Sequence, residues 1–118
     1  MSSIYEDMTE PEQRVAEYLK EINIRWYYEH PLFVYDERKR PRVWTPDFYL
    51  PTLGMYVEVC GSQDFDYKYR HKIYKKNQCH VIFVHYWKKE WKNHLIRMIR
   101  KIENFRHKQV EKMLDSIL

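Results

Sequence analysis

The 118-residue chain has little glycine and cysteine and no long hydrophobic run. Two glycines and five prolines exclude collagen-like and linker-like chains. Two cysteines are too few for a disulfide scaffold, which indicates a reducing, cytoplasmic environment. No apolar stretch approaches the ~20 residues of a membrane-spanning helix, and the polar, acidic start is unlike a secretory signal. We therefore expect one globular domain over residues 1–118, without a membrane partner.

Aromatic side chains and positive charge are abundant instead. Phe, Trp and Tyr make up 17% of the chain, and 21 Lys and Arg against 17 Asp and Glu give a net charge of +4. A hydrophobic fraction of 44% is sufficient for a core. Small basic domains rich in tyrosine are typical of nucleic-acid-binding proteins, although many basic proteins bind no nucleic acid.

The hydrophobic pattern predicts an α/β domain with the element order αβββαβα. Thr9 and Glu12 form a capping box that begins the first helix, which ends near Ile24. Three antiparallel strands, a basic crossover helix, a parallel strand and a C-terminal helix follow. Their expected ranges are 25–35, 43–50, 55–60, 64–77, 81–84 and about 89–118. The helices would cover both faces of a mixed sheet.

Two acidic residues fall on neighbouring predicted strands. Asp47 stands in Thr45-Pro46-Asp47-Phe48 at the start of one strand, and Glu58 lies between branched apolar residues in the next. A dry, unpaired carboxylate costs several kcal/mol, so Glu58 requires a cation, a hydrogen-bond donor or an open cleft. Two converging carboxylates suit a hard divalent cation such as Mg²⁺, which can activate water and neutralise a phosphodiester.

This pattern resembles the PD-(D/E)xK nuclease superfamily. Pro-Asp at one strand start is followed after ten residues by Glu on the next strand, and the order αβββαβ over residues 9–86 is similar to the family's core. The chain is similar in style to small archaeal Holliday-junction resolvases, RecB-like nuclease domains and very-short-patch repair endonucleases. The resemblance implies a restriction-endonuclease-like fold and a DNA endonuclease that uses Mg²⁺ or Mn²⁺.

The resemblance also assigns roles to individual residues. It implies that Asp47, Glu58 and the backbone carbonyl of Cys60 hold the metal, assisted by Glu12 or Glu17 of the first helix. RecB-like members carry Gln-x-x-x-Tyr on the crossover helix, where this chain has Arg70-His71-Lys72-Ile73-Tyr74.

Cys60 is a departure from the family, whose motif has Lys at that position. A thiol is mostly neutral at pH 7 and supplies no fixed positive charge to a phosphate. Some members use a lysine of the following helix instead. Lys72 is the leading candidate because it lies in the segment that matches the helix motif, and Lys68, one turn earlier, is the second.

Other basic residues are candidates for contact with DNA phosphates. The charged turn at 36–42 is either a phosphate-tracking loop or a solvated hairpin tip, and the crossover helix has both solvated and substrate-facing cations. The candidates are Arg38, Lys39, Arg40, Arg42, Arg70, Lys75 and Lys76.

The acidic residues also have purely structural explanations. Glu12 can serve only the capping box, Asp47 can form an Asx turn after Pro46, and Glu58 can pair with a surface lysine at a sheet edge. Zinc is disfavoured because the chain has no CxxC or HxxxH pair. Cys60 and Cys79 are expected as packed thiols rather than as a disulfide.

The C-terminal helix predicts a homodimer. About 30 residues make a rod of roughly 45 Å, longer than a globule with a radius of gyration of about 13–14 Å can cover. Its last part still carries an apolar stripe, formed by Val110, Met113, Leu114 and Ile117. The alternative is a break near Arg106 that folds the last segment back.

Two functions are consistent with the sequence. The first is a metal-dependent DNA endonuclease. The second is a non-catalytic DNA-binding or assembly module on the same fold, in which Cys60 marks a lost active site.

Overall fold

A four-stranded mixed sheet forms the centre of the protein in a computed structural model, which describes residues 3–63 and 66–117. A 3₁₀ turn at Ile4–Asp7 precedes the main elements. These are α1 (Glu10–Glu21), β1 (Tyr27–Tyr28), β2 (Leu32–Tyr35), β3 (Pro41–Trp44), β4 (Phe48–Leu50), β5 (Met55–Cys60), α2 (Lys68–Lys76), β6 (Val81–His85) and α3 (Trp91–Ile117).

The main sheet has the strand order β1-β4-β5-β6. β4 pairs with β1 and β5 in antiparallel fashion, and β6 pairs with β5 in parallel after the crossover through α2. The predicted mixed α/β class, with antiparallel strands before one parallel strand, is therefore confirmed. The long C-terminal helix is confirmed as well.

The single strand predicted over 25–35 is wrong. Its first part, β1, joins the main sheet, whereas β2 leaves it and pairs with β3 in a separate two-stranded sheet. The chain turns between them because Glu29 adopts a left-handed φ of 54° and Pro31 follows it without an N–H. The strand predicted over 43–50 is likewise interrupted, at Thr45 to Asp47, so that β3 and β4 belong to different sheets.

Two apolar clusters cover the two faces of the main sheet. The larger contains Val15 and Leu19 of α1, Val57 of β5, and Leu95 and Ile99 of α3. The smaller is closed by α2 and β2, and its buried members are Val34, Cys60, Ile73, Tyr74 and Phe83. Alternation along β5 puts Met55 and Val57 on the first face and directs Glu58 and Cys60 towards α2.

Both ends of α1 follow from local hydrogen bonds. The Thr9 N–H donates to the Glu12 carboxylate at 2.8 Å, and the Glu12 N–H donates to the Thr9 hydroxyl at 3.3 Å, which confirms the capping box. The helix ends at Glu21, earlier than predicted, because Asn23 takes a left-handed φ of 61°.

The helix α2 begins at Lys68 rather than at Asp64, which lies outside the described residues. It ends at Asn77, as predicted. The Asn77 side chain donates to the Ile73 and Tyr35 carbonyls at 2.8 and 2.9 Å and so ties α2 to the small sheet.

The helix α3 is continuous, so the predicted alternative of a break near Arg106 is wrong. The Arg106 guanidinium donates to the carbonyls of Leu53 and Gly54 and so fixes the helix to the turn between β4 and β5. Residues 107–117 beyond it are all exposed. No helix in the described ranges combines the length and hydrophobicity needed to cross a membrane.

Candidate active site

An acidic pocket of about 260 Å³ lies where β4, β5 and α2 meet; its lining is formed by Thr45, Asp47, Glu58, Val59, Tyr67 and Arg70. The register explains why two carboxylates meet there. Phe48 is paired with Val57 in antiparallel strands, so Asp47 and Glu58, one residue further out on each strand, come level with each other. The convergence of these two residues was predicted from the sequence.

Asp47 is attached to the neighbouring strand. Its Oδ2 accepts a hydrogen bond from the Val59 N–H at 2.7 Å, a bond across the hairpin rather than within an Asx turn. Burial raises the pKa of Asp47 to about 7, and the nearby Glu12 and Glu58 carboxylates add to the rise, against the lowering effect of the Val59 N–H. The part of this rise that comes from Glu12 and Glu58 is repulsion between carboxylates, which a bound cation would relieve.

We predict from this pKa that Asp47→Asn stabilises the metal-free protein, and more so as the pH rises. The native state holds a proton between the ordinary pKa of 3.8 and about 7, so the stability contributed by Asp47 is complete at low pH and lost as pH rises through 7. Asparagine carries no charge and keeps an acceptor for Val59. We expect a gain of roughly 1–2 kcal/mol near pH 8 and almost none near pH 4, after allowing for solvent screening of a partly exposed group.

Urea unfolding in EDTA at both pH values measures this gain. The matched control is Asp115→Asn, because Asp115 is an exposed carboxylate near the end of α3. A gain that is equal at the two pH values, or is also given by the control, contradicts the prediction.

Glu12 serves two purposes. It closes the capping box, as the structural explanation proposed, and it also accepts hydrogen bonds from the Tyr28 hydroxyl at 3.3 Å. It interacts closely enough with Asp47 to raise the pKa of that carboxyl. Glu17, the other residue considered for this position, is exposed and pairs with Arg14 at 3.4 Å, so the acidic neighbour of Asp47 on α1 is Glu12.

Glu58 is only 5% exposed and lies on a central strand, so the sheet-edge explanation is wrong. Its Oε1 accepts hydrogen bonds from Arg70 Nη2 at 2.6 Å and from the Tyr74 hydroxyl. Burial raises the pKa of Glu58, and these two donors oppose the rise. The partner cation therefore comes from α2, not from a surface lysine.

Arg70 is the cation of the acidic pocket. Its guanidinium stacks 5.2 Å from the centre of the Trp44 ring, and Nη2 also donates to the Tyr74 hydroxyl at 3.2 Å. The Arg70 Nε is buried and has no hydrogen-bond partner among the described residues. An unpaired buried donor costs about 1–3 kcal/mol.

Lys72 and Lys68 do not line the acidic pocket. They line a larger groove on the neighbouring side of α2, separated from the pocket by Tyr67. Arg70 and Tyr74 share a helix face because they are four residues apart, whereas Lys72 is rotated roughly 200° from Arg70. From the sequence, Arg70 is predicted only as a DNA contact, although its four-residue spacing to Tyr74 already puts the two side chains on one face of α2.

The motif cysteine is a buried thiol. Burial raises the pKa of Cys60 to about 12, so it is protonated at neutral pH, and its backbone carbonyl accepts the Tyr86 N–H at 3.0 Å. That carbonyl therefore faces β6, on the opposite edge of β5 from Asp47, and Cys60 does not line the acidic pocket, so the predicted metal contact of its carbonyl is wrong. Cys60 and Cys79 are both free and pack in the smaller cluster, as expected for packed thiols.

The described residues contain no metal site with three protein side-chain ligands. Within residues 3–63 and 66–117, no group of three or more His, Cys, Asp and Glu side chains is arranged to hold a metal. Zinc therefore gains no support. Mg²⁺ makes a different demand, because it often uses only one or two carboxylates and keeps several waters.

Other predicted phosphate contacts lie on the surface. Asp36 organises the tip of the small sheet: its carboxylate accepts from the Arg40 and Arg42 Nε atoms at 3.0 and 3.2 Å. Backbone hydrogen bonds, that from Arg40 above all, lower the pKa of Asp36 to about 2. Both arginines remain about half exposed. The tip is thus a structured basic loop, in which Arg38 and Lys39 are also exposed; Lys75 and Lys76 are exposed on α2.

Comparison with protein-family models gives no match, and comparisons with curated proteins and with solved structures give no significant similarity. Function is therefore argued from the pocket itself.

Proposed function

We propose that the protein is a DNA endonuclease of the PD-(D/E)xK type, with a restriction-endonuclease-like fold, that hydrolyses phosphodiester bonds with Mg²⁺ or Mn²⁺. One observation carries the proposal: two carboxylates on adjacent antiparallel strands, Asp47 and Glu58, share a small pocket with an arginine. This pattern supplies both charges that phosphodiester hydrolysis needs, anionic ligands for a cation and a fixed cation for the phosphate.

The donor set fits a hard cation. Asp47 and Glu58 would be the protein ligands, with water completing the coordination. Burial raises the pKa values of both carboxyl groups, and repulsion from Glu12 and Glu58 adds to the rise at Asp47, where a bound cation would relieve it. When bound, the cation would neutralise phosphate charge and lower the pKa of a coordinated water.

The chain's own residues carry the remaining roles. Arg70 places a permanent positive charge beside Glu58, and its side chain is about one-third exposed, so the charge is within reach of a phosphate in the pocket. Charge develops on the phosphate oxygens during hydrolysis, so a fixed guanidinium stabilises the transition state more than the substrate. Arg70 thus takes the part that the motif lysine takes in the family. Glu12 keeps the Asp47 carboxylate in an anionic setting, and Tyr74 fixes the position of Glu58.

Cleavage assays test the proposal. Supercoiled plasmid and labelled duplex, branched and single-stranded DNA are incubated with the protein in Mg²⁺, Mn²⁺ or EDTA. We expect cleavage in either metal and none in EDTA. Binding of DNA without cleavage under all conditions would instead support the non-catalytic module, for which the observation in favour is that Glu58 is already paired with Arg70.

Self-association through α3 stays part of the proposal. The stripe formed by Val110, Met113, Leu114 and Ile117 is 52–77% exposed, and α3 is fixed to the domain only as far as Arg106. An isolated helical end of this length is marginal in water, so a second copy packing on the stripe would stabilise it.

We predict that Leu114→Asp converts a dimer to a monomer, because it puts a charge into the centre of that stripe. Lys112→Asp, on the opposite face of the helix, is the control and should leave the dimer intact. Light scattering at high micromolar concentration measures the mass. A monomer mass for the unaltered protein would exclude the dimer.

A further inference from the structure

A second cavity lies beside the acidic pocket and is not needed to hold a metal. It is a groove of about 790 Å³ between α2 and the end of β6, and Tyr67 lines both cavities. We call it the lysine groove. Its lining includes three lysines of α2, namely Lys68, Lys72 and Lys75.

The three lysines form one edge of the groove because of helix geometry. Spacings of four and three residues put them on one face of α2, along about 10 Å of its length. All three are exposed, and no salt bridge to any of them is present within the described residues. Such a row offers positive charge to a partner with negative charges in a line.

The floor of the groove is aromatic. Phe83 and His85 come from β6, and Trp87 follows that strand. Trp87 contacts the His85 ring at 4.7 Å, and Tyr67 contacts the Phe83 ring at 6.0 Å. Aromatic faces next to a row of lysines match the two parts of an exposed nucleotide, the base and its phosphate.

One polar atom in the floor has no partner. The His85 Nδ1 is buried and makes no hydrogen bond with the described residues. Buried polar atoms without partners are uncommon in folded proteins, and this one lies on a residue that lines the cavity. Because this atom has almost no accessible surface, recognition of a nucleotide rests on the exposed lysines and on Trp87 rather than on the Nδ1.

We propose that the lysine groove binds unpaired nucleotides of the DNA strand that enters the acidic pocket, so that the preferred substrate has a single-stranded segment next to the cleavage site. The inference deepens the proposed function and rests on it for the nature of the substrate. Bases within a duplex are covered by their neighbours, whereas unpaired bases leave their faces open for stacking on the half-buried Trp87. The lysines then neutralise the phosphates of the same strand.

DNA binding without cleavage tests the groove separately from the chemistry. Fluorescence anisotropy is measured in EDTA with labelled oligothymidylate, a blunt duplex and the same duplex with an unpaired tail. We expect the tailed duplex to bind at least about 10-fold more tightly than the blunt duplex, since loss of base–aromatic stacking costs roughly 5- to 150-fold per base. Equal affinity for the two duplexes overturns the inference.

Variants locate the preference. Trp87→Ala should remove most of the preference for the tailed duplex with little effect on the blunt one, and Trp87→Tyr should keep it because a stacking face remains. The control Tyr27→Ala removes an exposed aromatic on β1, outside the groove. Lys75→Gln should weaken tailed binding and Lys20→Gln, on α1, should not. If Trp87→Ala keeps the full preference for the tailed duplex, the groove does not recognise unpaired bases. The same conclusion follows if polyglutamate competes with labelled oligothymidylate as effectively as unlabelled oligothymidylate does.

The two proposals fail in different ways. Cleavage in Mg²⁺ without any binding preference for unpaired segments overturns the groove and leaves the endonuclease. A strong binding preference with no cleavage in any metal supports the groove and overturns the endonuclease.

Discussion

Asp47→Asn and Glu58→Gln should each reduce DNA cleavage by at least about 100-fold while the protein stays folded. Each substitution removes an anionic ligand, and even residues that only support a metal ligand typically contribute 10- to 100-fold. Both replacements preserve shape. Asparagine can still accept the Val59 N–H, and glutamine can still accept from Arg70 and Tyr74.

Initial rates on plasmid DNA in Mg²⁺ and Mn²⁺ measure the loss, and circular dichroism checks the fold. Glu17→Gln is the matched control. Glu17 lies exposed on α1 and, unlike Glu12 on the same helix, does not influence the pKa of Asp47. Cleavage by both pocket variants at the rate of the unaltered protein would show that the acidic pocket is not the active site.

Arg70→Lys should lower kcat by about 10-fold, and Arg70→Gln by about 100- to 1,000-fold, the usual effect of losing one preorganised charge-stabilising donor. A lysine keeps the charge but loses the planar fork and the Trp44 stack. Because removing the guanidinium leaves Glu58 buried without its cation, unfolding is followed in parallel and rates are compared only for folded protein.

Lys72→Ala and Cys60→Ser complete this comparison. From the sequence, Lys72 is the leading replacement for the motif lysine. If that prediction is right, Lys72→Ala should reduce the cleavage rate most and Cys60→Ser should hardly change it. The structure leads us to expect a smaller effect on kcat for Lys72→Ala than for Arg70→Gln, with its larger effect on KM, because Lys72 lies in the lysine groove. A normal kcat for Arg70→Gln with an inactive Lys72→Ala would restore the lysine account, and an inactive Cys60→Ser would indicate that the thiol takes part.

The features that the sequence predicts well depend on short-range rules. The capping box of Thr9 and Glu12 needs only a three-residue spacing, and it forms as expected. The meeting of Asp47 and Glu58 needs only a tight turn at Pro51 to Gly54 and strand alternation, which together fix the register of β4 and β5. The parallel β6 follows from a continuous apolar run after a helix.

The features that the sequence predicts poorly depend on tertiary packing. The separation of β2 and β3 from the main sheet follows from the turn at Glu29 and the interruption at Thr45 to Asp47. A local sequence signal can mark such breaks, but it does not tell which strand each segment will pair with. The placement of Arg70, rather than Lys72, in the acidic pocket depends on the rotation of α2 about its axis, which is set by burial of Ile73 and Tyr74. Glu12 satisfies a cap and an electrostatic role at once, and helix capping alone predicts only the first.

Binding of Mn²⁺ tests the central claim most directly, because it asks whether the acidic pocket is a metal site before any assumption about DNA. Isothermal titration calorimetry is carried out near pH 8, where Asp47 is ionised given its pKa of about 7. We predict one Mn²⁺ per chain for the unaltered protein and for Glu17→Gln, and no binding for Asp47→Asn. No detectable binding at millimolar Mn²⁺, or equal binding by Asp47→Asn, would contradict the assignment of this pocket as a metal-dependent nuclease centre.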